Sequence, residues 1–203
     1  NRIQTIMQKL NQQPDICPYF SPEFKVIPQY IIMKEGECME LNNRTTSFFI
    51  FILSGEITIS FEQYTNRSVL ENEMFFLPKN NCFKWKAVTQ TVLILTGYNA
   101  TIFPCTSVRA RILYKIKAGV KFDCRGVVMK DEVKVVVNQM KHYLESGINC
   151  HHMYILKHKE LYLMFKHFYT YEEIIQIFYL ILGSNPLFNE RVLDNYLKVK
   201  TVK

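Results

Sequence analysis

Between residues 24 and 96 the apolar positions fall in short blocks separated by turn residues: FKVIPQYIIM, SFFIFILSGEITISF, EMFFLP, CFKWKA and TVLILTGY. The blocks are rich in Phe, Ile, Val and Thr and recur at intervals of roughly 8–12 residues, as the short antiparallel strands of an all-β sandwich or barrel do. Within FILSGEITISF, Ser54-Gly55-Glu56 predicts a hairpin turn, Gly55 supplying a backbone conformation that other residues reach only at a cost. Ile57, Ile59 and Phe61 then share one face of the next strand, and Glu56, Thr58 and Ser60 the other.

From Asp131 the period changes. Val133, Val136, Val137, Met140 and Leu144 follow at helical spacing as far as Gly147, with Asp131 as the expected N-cap. Asn149 is the expected cap of a second helix carrying Met153, Leu156, Leu161, Met164 and Phe168. A third helix is predicted over residues 171–182, where Glu172 and Glu173 suit the positive end of its dipole. Residues 98–130 show no clear period, and their seven basic residues read as a solvated face. After Asn185-Pro186, Phe188, Val192, Leu193, Tyr196 and Leu197 return to helical spacing, followed by Lys198, Lys200 and Lys203. One amphipathic helix cannot bury its stripe alone, so the expected partner of that segment lies elsewhere. The pattern divides the chain into a β region (1–130), a helical region (131–184) and a linker with a first further helix (185–203), an α+β organisation.

The 203 residues are 48% apolar, with fifteen Phe and twelve Tyr, which supports a sizeable core and excludes a disordered chain. A net charge of +7 admits a polyanionic partner without requiring one. Cys17, Cys38, Cys82, Cys105, Cys124 and Cys150 are scattered with no Cys-x-x-Cys pair, unlike a disulfide framework or a paired zinc site. Buried, reduced thiols in a cytoplasmic protein are expected. No basic-then-apolar leader is visible, and no apolar run approaches the roughly 20 residues of a membrane span.

The spacing of the β region can be laid on the two motifs of the cupin family. Gly36 and Gly55 match the bounding glycines of the first motif and Pro78 the proline of the second. Asn72 and Asn80 stand at glycine positions, and Asn is the residue next best able to take positive φ. The chain resembles cupins in this spacing and departs from them at every ligand position. Asn42, Arg44 and Phe48 stand at the His-His-Glu places and Phe83 at the last His, so no metal cofactor is expected. His142, His151, His152, His158 and His167 all lie in the helical region, with no carboxylate or Cys completing a site. Asn42, Arg44, Phe48, Phe83 and Trp85, with Tyr30, are the expected inward positions of the barrel. An apolar, aromatic cavity with one cation and one amide suits an organic ligand, Arg44 holding an anionic group and Trp85 stacking on a ring. In the competing reading, Phe48, Phe83 and Trp85 simply fill the barrel and Arg44 reaches solvent at its rim.

The stretch from Lys141 to the end, with Cys150, the Lys157-x-x-Glu160-Leu161 run, Phe168-Tyr169 and Phe188 leading into VLDNYLKVKTVK, resembles the junction of AraC-family transcriptional regulators. That resemblance implies an antiparallel cupin-like (double-stranded β-helix) barrel that senses an unidentified small-molecule effector. It also implies a helical dimerisation region, and a C-terminal DNA-binding domain with two helix-turn-helix motifs beyond residue 203. DNA is then met only through that further domain. Leu161, Tyr162, Leu163, Met164 and Phe165 stand in succession, more apolar side chains than one packed face buries. A homodimer built on Met153, Leu156, Leu161, Met164 and Phe168 is therefore expected, with no enzymatic activity and no membrane partner. A metal-free cupin-fold enzyme and a ligand-free dimerisation scaffold remain the alternatives.

Overall fold

The computed structural model describes residues 28–43, 46–62, 64–79, 81–98, 114 and 123–183. Nine strands and three helices are described: β1 (Gln29–Met33), β2 (Cys38–Asn43), β3 (Ser47–Ser54), β4 (Glu56–Phe61), β5 (Tyr64–Leu70), β6 (Glu73–Leu77), β7 (Asn81–Ala87), β8 (Thr91–Tyr98), β9 (Val127–Val128), α1 (Asp131–Glu145), α2 (His151–Phe168) and α3 (Tyr171–Gly183). They form a sheet of order β1-β8-β3-β6-β9 and a second of order β2-β7-β4-β5, with every pairing antiparallel. β1 to β4, and again β5 to β8, alternate between the sheets in the jelly-roll pattern, the cupin-like double-stranded β-helix. The barrel expected from the sequence is this two-sheet sandwich.

One local expectation is corrected. Ser54-Gly55-Glu56 is not a hairpin turn, because β3 pairs with β6 and β8 while β4 pairs with β5 and β7. Gly55 is instead a corner that passes the chain from one sheet to the other. Its φ is +85°, and a Cβ there would strike the Gln90 carbonyl and come within 2.7 Å of Thr91 Oγ1. Asn72, at a position read as glycine-like, has φ of 63°; Asn80 lies outside the described residues.

Register fixes which side chains meet between the sheets. Leu41 opposes Phe83, Met39 opposes Trp85, and Trp85 opposes Ile59, so these residues share the inner face of the second sheet. Phe48, Ile50 and Ile52 face them from β3, with Phe75 and Leu77 from β6 and Leu93 and Leu95 from β8. Rings from both sheets touch: Phe61 lies 4.8 Å from Phe83 and 6.1 Å from Phe75, centroid to centroid.

The outer face of the first sheet is apolar as well, because the helices cover it. Phe49, Phe76 and Tyr98, from β3, β6 and β8, pack edge to face at 4.9–5.5 Å. Phe165 of α2 and Phe178 of α3 then close on Phe49 at 5.8 and 6.2 Å. This aromatic seam explains why β3 reads as a continuous apolar run rather than an alternation.

The helices begin close to the expected places. Asp131 is the first residue of α1 rather than its cap, a position held by Lys130, and Cys150 rather than Asn149 precedes α2. α3 is opened by a capping box: the Thr170 amide donates to the Glu173 carboxylate at 2.8 Å, and the Glu173 amide to the Thr170 hydroxyl at 3.3 Å. Among the described residues no helix is long and apolar enough to cross a membrane.

Candidate functional site

The six expected ligand-binding residues do not converge. Phe48, Phe83 and Trp85 meet in the sandwich interior, all buried. Asn42 pairs with Cys82 on the outer face of the second sheet and is exposed, because Leu41 beside it takes the inward place. Tyr30 opposes Ile94, which opposes Phe51 on the helix-covered face, and the ammonium of Lys141 lies 5.8 Å from its ring. A single step of strand parity separates Asn42 and Tyr30 from the interior, which the motif spacing alone does not reveal. Arg44 lies outside the described residues.

The arrangement does not fit the metal that cupin folds often carry. Phe48 and Phe83 present carbon rings where a His or carboxylate would be needed, and Asn42 points outward. Among the described residues no group of three or more His, Cys, Asp or Glu side chains could hold an ion. The interior does contain one polar atom without a partner among the described residues, the Trp85 indole nitrogen. At the edge of the first sheet, Arg125, Gln176 and Leu180 line a cleft with Phe76 and Val127, enclosing about 10 Å³. That is the space of a single water, not of a metabolite.

Two of the described thiols, Cys82 and Cys124, are held in the unreactive form. Cys38, Cys82 and Cys150 are exposed, which corrects the expectation of buried thiols at these three, while Cys124 is buried and Cys17 and Cys105 lie outside the described residues. The reason is again parity: Cys82 stands beside inward-facing Phe83. The Cys82 thiol donates to Glu40 Oε1 at 3.0 Å, and this bond, with partial burial and the carboxylate charge, pushes its pKa up. Burial pushes the Cys124 thiol up to about 12. Both changes disfavour the thiolate that chemistry would need.

α2 is the element with two occupied roles. His151, Tyr154, His158, Leu161 and Phe165 are buried against the protein's own core. Leu156, Leu163 and Phe168 remain 63%, 56% and 40% exposed. Of the residues expected at a dimer contact, Leu161 is therefore committed to the protomer, Met153 and Met164 are half-buried, and Leu156 and Phe168 are exposed. Leu163, which the sequence reading placed only within the apolar run, joins them at the surface. The signal that distinguishes it is its seven-residue spacing from Leu156.

Compared by sequence, the chain matches no known family profile and no curated protein. Among solved structures it is similar to a conserved protein of unknown function from Streptococcus pyogenes (19% identity, TM-score 0.33, covering 36% of this chain and 62% of that one). It is also similar to a cupin superfamily protein from Desulfitobacterium hafniense (17%, 0.33, 36% and 68%). A third likeness is to the Cnp3 cupin domain of Schizosaccharomyces pombe (16%, 0.36, 41% and 59%). The chain spans about three fifths to two thirds of the length of these structures.

Proposed function

We propose that this chain is the non-catalytic, dimerising regulatory part of an AraC-type transcriptional regulator. The observation that carries the reading is the division of labour on α2, whose inner face docks on the sandwich while its outer face offers leucines to solvent. Exposed apolar side chains on a well-packed helix mark a contact surface. The jelly roll then serves as the rigid body that holds two such helices in register, and the packed rings of Phe61, Phe75 and Phe83 suit that role. The basic C-terminal segment expected to lead into a DNA-binding domain lies outside the described residues.

Two measurements test the reading. Sedimentation of the chain should show a dimer at micromolar concentration; a monomer throughout would overturn it. The chain alone should bind DNA weakly and without sequence preference, and added salt should abolish that binding. A discrete footprint surviving physiological salt would refute the proposal.

A second reading, effector sensing inside the sandwich, is favoured by the unpartnered Trp85 indole nitrogen. A buried donor gains from any small acceptor that reaches it. A thermal-shift screen of metabolites tests this: a hit lost in Trp85→Phe supports a site there, and a hit unaffected by that substitution places the ligand elsewhere.

A further inference from the structure

The two halves of α2 are held to the protein by different chemistry. From Leu161 onward the buried face is Leu161 and Phe165, with Tyr169 at the end, and Phe165 sits on the aromatic seam. Before Leu161 the buried face is His151, Tyr154 and His158. His158 donates from one ring nitrogen to the Tyr154 carbonyl and with the other accepts from the Thr96 hydroxyl of β8, the arrangement of a neutral imidazole. A protonated ring carries a second N–H aimed at Thr96 Oγ1. The Thr96 hydroxyl proton must then turn away, at a fully buried position whose cross-strand neighbour is Phe49. The start of the helix is no better suited to positive charge. It has no side-chain cap and no acidic residue in its first turn, where His151 and His152 stand at the positive end of the dipole.

We propose that residues 151–160 of α2 form an acid-released segment: protonation of His158 and His151 lifts it from the core while the C-terminal half of the helix stays seated on the seam. The groups around these rings do not compensate the charge. On α2 the ionisable neighbours are imidazoles, His152 beside His151 and His151 towards His158. Tyr154, whose hydroxyl donates to the Ile148 carbonyl, stays neutral throughout the window. Glu160, the one carboxylate of the helix, is held by Lys157, which also reaches Gln139 and the Tyr143 ring of α1. Glu145 of α1 is paired with Lys141, and β8 presents only the Thr96 hydroxyl. The released segment therefore takes up protons more readily than the docked one, and release grows as pH falls. With the docked His158 ring at about 4 and an ordinary value of 6.5, the equilibrium shifts towards release about threefold from pH 7 to 6 and about twentyfold from pH 7 to 5. Leu156, on the outer face assigned above to the dimer, lies in the released half, so acid shortens that contact too. The release itself belongs to the single chain and does not rest on the dimer.

Amide hydrogen exchange on the full chain at high dilution tests this, each rate taken against the intrinsic rate at the same pH. Amides of residues 155–160 should lose protection about twentyfold or more between pH 7 and 5, while those of residues 162–168 keep theirs to within about threefold. His158→Gln removes the larger titration and should cut that loss to about threefold or less, and adding His151→Gln should remove the remainder. Unchanged protection of residues 155–160 in the parent overturns the proposal, as does a loss spread evenly over residues 155–168, which would be unfolding of the whole chain. A loss that persists undiminished in His158→Gln and in His151→Gln also overturns it, since the imidazoles would then not be its source.

Discussion

The His158 imidazole and the Thr96 hydroxyl lie 2.9 Å apart, joining the middle of α2 to β8 in a buried setting. The other ring nitrogen, Nδ1, is 2.6 Å from the Tyr154 carbonyl. A carbonyl only accepts, so Nδ1 carries the proton and Nε2 accepts from Thr96 in the neutral ring. Burial drives the His158 pKa down to about 4, with a smaller opposing effect from the Tyr154 bond and a further lowering from His151. Burial and its neighbour His152 lower His151 as well. Above pH 6.5 the His158 ring is neutral in both folded and unfolded chains and stability is flat in this respect. As pH falls from 6.5 towards 4 the unfolded chain takes up the proton first, so stability drops, by on the order of 3 kcal/mol for this group. Urea midpoints across that window should decline in the parent and decline less steeply in His158→Gln.

Tyr169, at the end of α2, ties that helix to the β9–α1 connection. Its hydroxyl donates to the Val128 carbonyl at 3.0 Å and accepts from the Lys130 amide at 2.8 Å, while its ring meets Phe165 at 5.6 Å. Tyr169→Phe keeps the ring and leaves two partly buried backbone groups without this partner. A loss of about 1–3 kcal/mol is expected, read from chemical denaturation with an unchanged slope.

Gly55→Ala should cost more than an ordinary glycine replacement. The left-handed backbone carries a strain of roughly 1 kcal/mol or more for a residue with a Cβ. The clash with Gln90 and Thr91 adds to it, both being backbone-anchored. Gly36, also at positive φ but with open space around it, is the control: Gly36→Ala should show the conformational cost alone.

Phe83 and Asn42, read from the sequence as lining the same cavity, should behave differently. Phe83→Ala opens a hole between the sheets and should destabilise by about 3–5 kcal/mol. Asn42→Ala changes an exposed side chain on the outer face and should stay within about 0.5 kcal/mol of the parent. Equal effects of the two substitutions on thermal melting would contradict the register described here.

Much of the sandwich was legible because its central strands are apolar on one or both faces. SFFIFILS, EMFFL and TVLILTGY announce β3, β6 and β8, and all three lie within the first sheet. β2 and β5 were not legible: both are edge strands of the second sheet, and CMELNN and YTNRSVL carry too few apolar residues to stand out. The three helices emerged from their spacing, the third starting at Tyr171 as expected and the first two displaced by one residue, since a side chain near a helix terminus does not say which residue first turns. The cavity residues were misassigned for a different reason. Motif spacing counts residues along the chain, whereas inward or outward direction depends on strand parity, and Leu41 rather than Asn42 satisfies the buried face. Thr96 and His158 escaped notice because they are 62 residues apart in sequence and meet only once the helices have docked.

The aromatic seam also has a kinetic consequence. Its sheet side is assembled from Phe49, Phe76 and Tyr98 on three strands distant in sequence, and β1 must find β8 at the far end of the sandwich for the first sheet to close. Loop closure of that kind is slow, because its entropic cost falls before the contacts that offset it. α2 and α3 can form helical turns early, but their docking platform does not yet exist. The folding transition state should therefore be polarised towards the strands, with substitutions at Phe165 and Phe178 speeding unfolding far more than they slow folding.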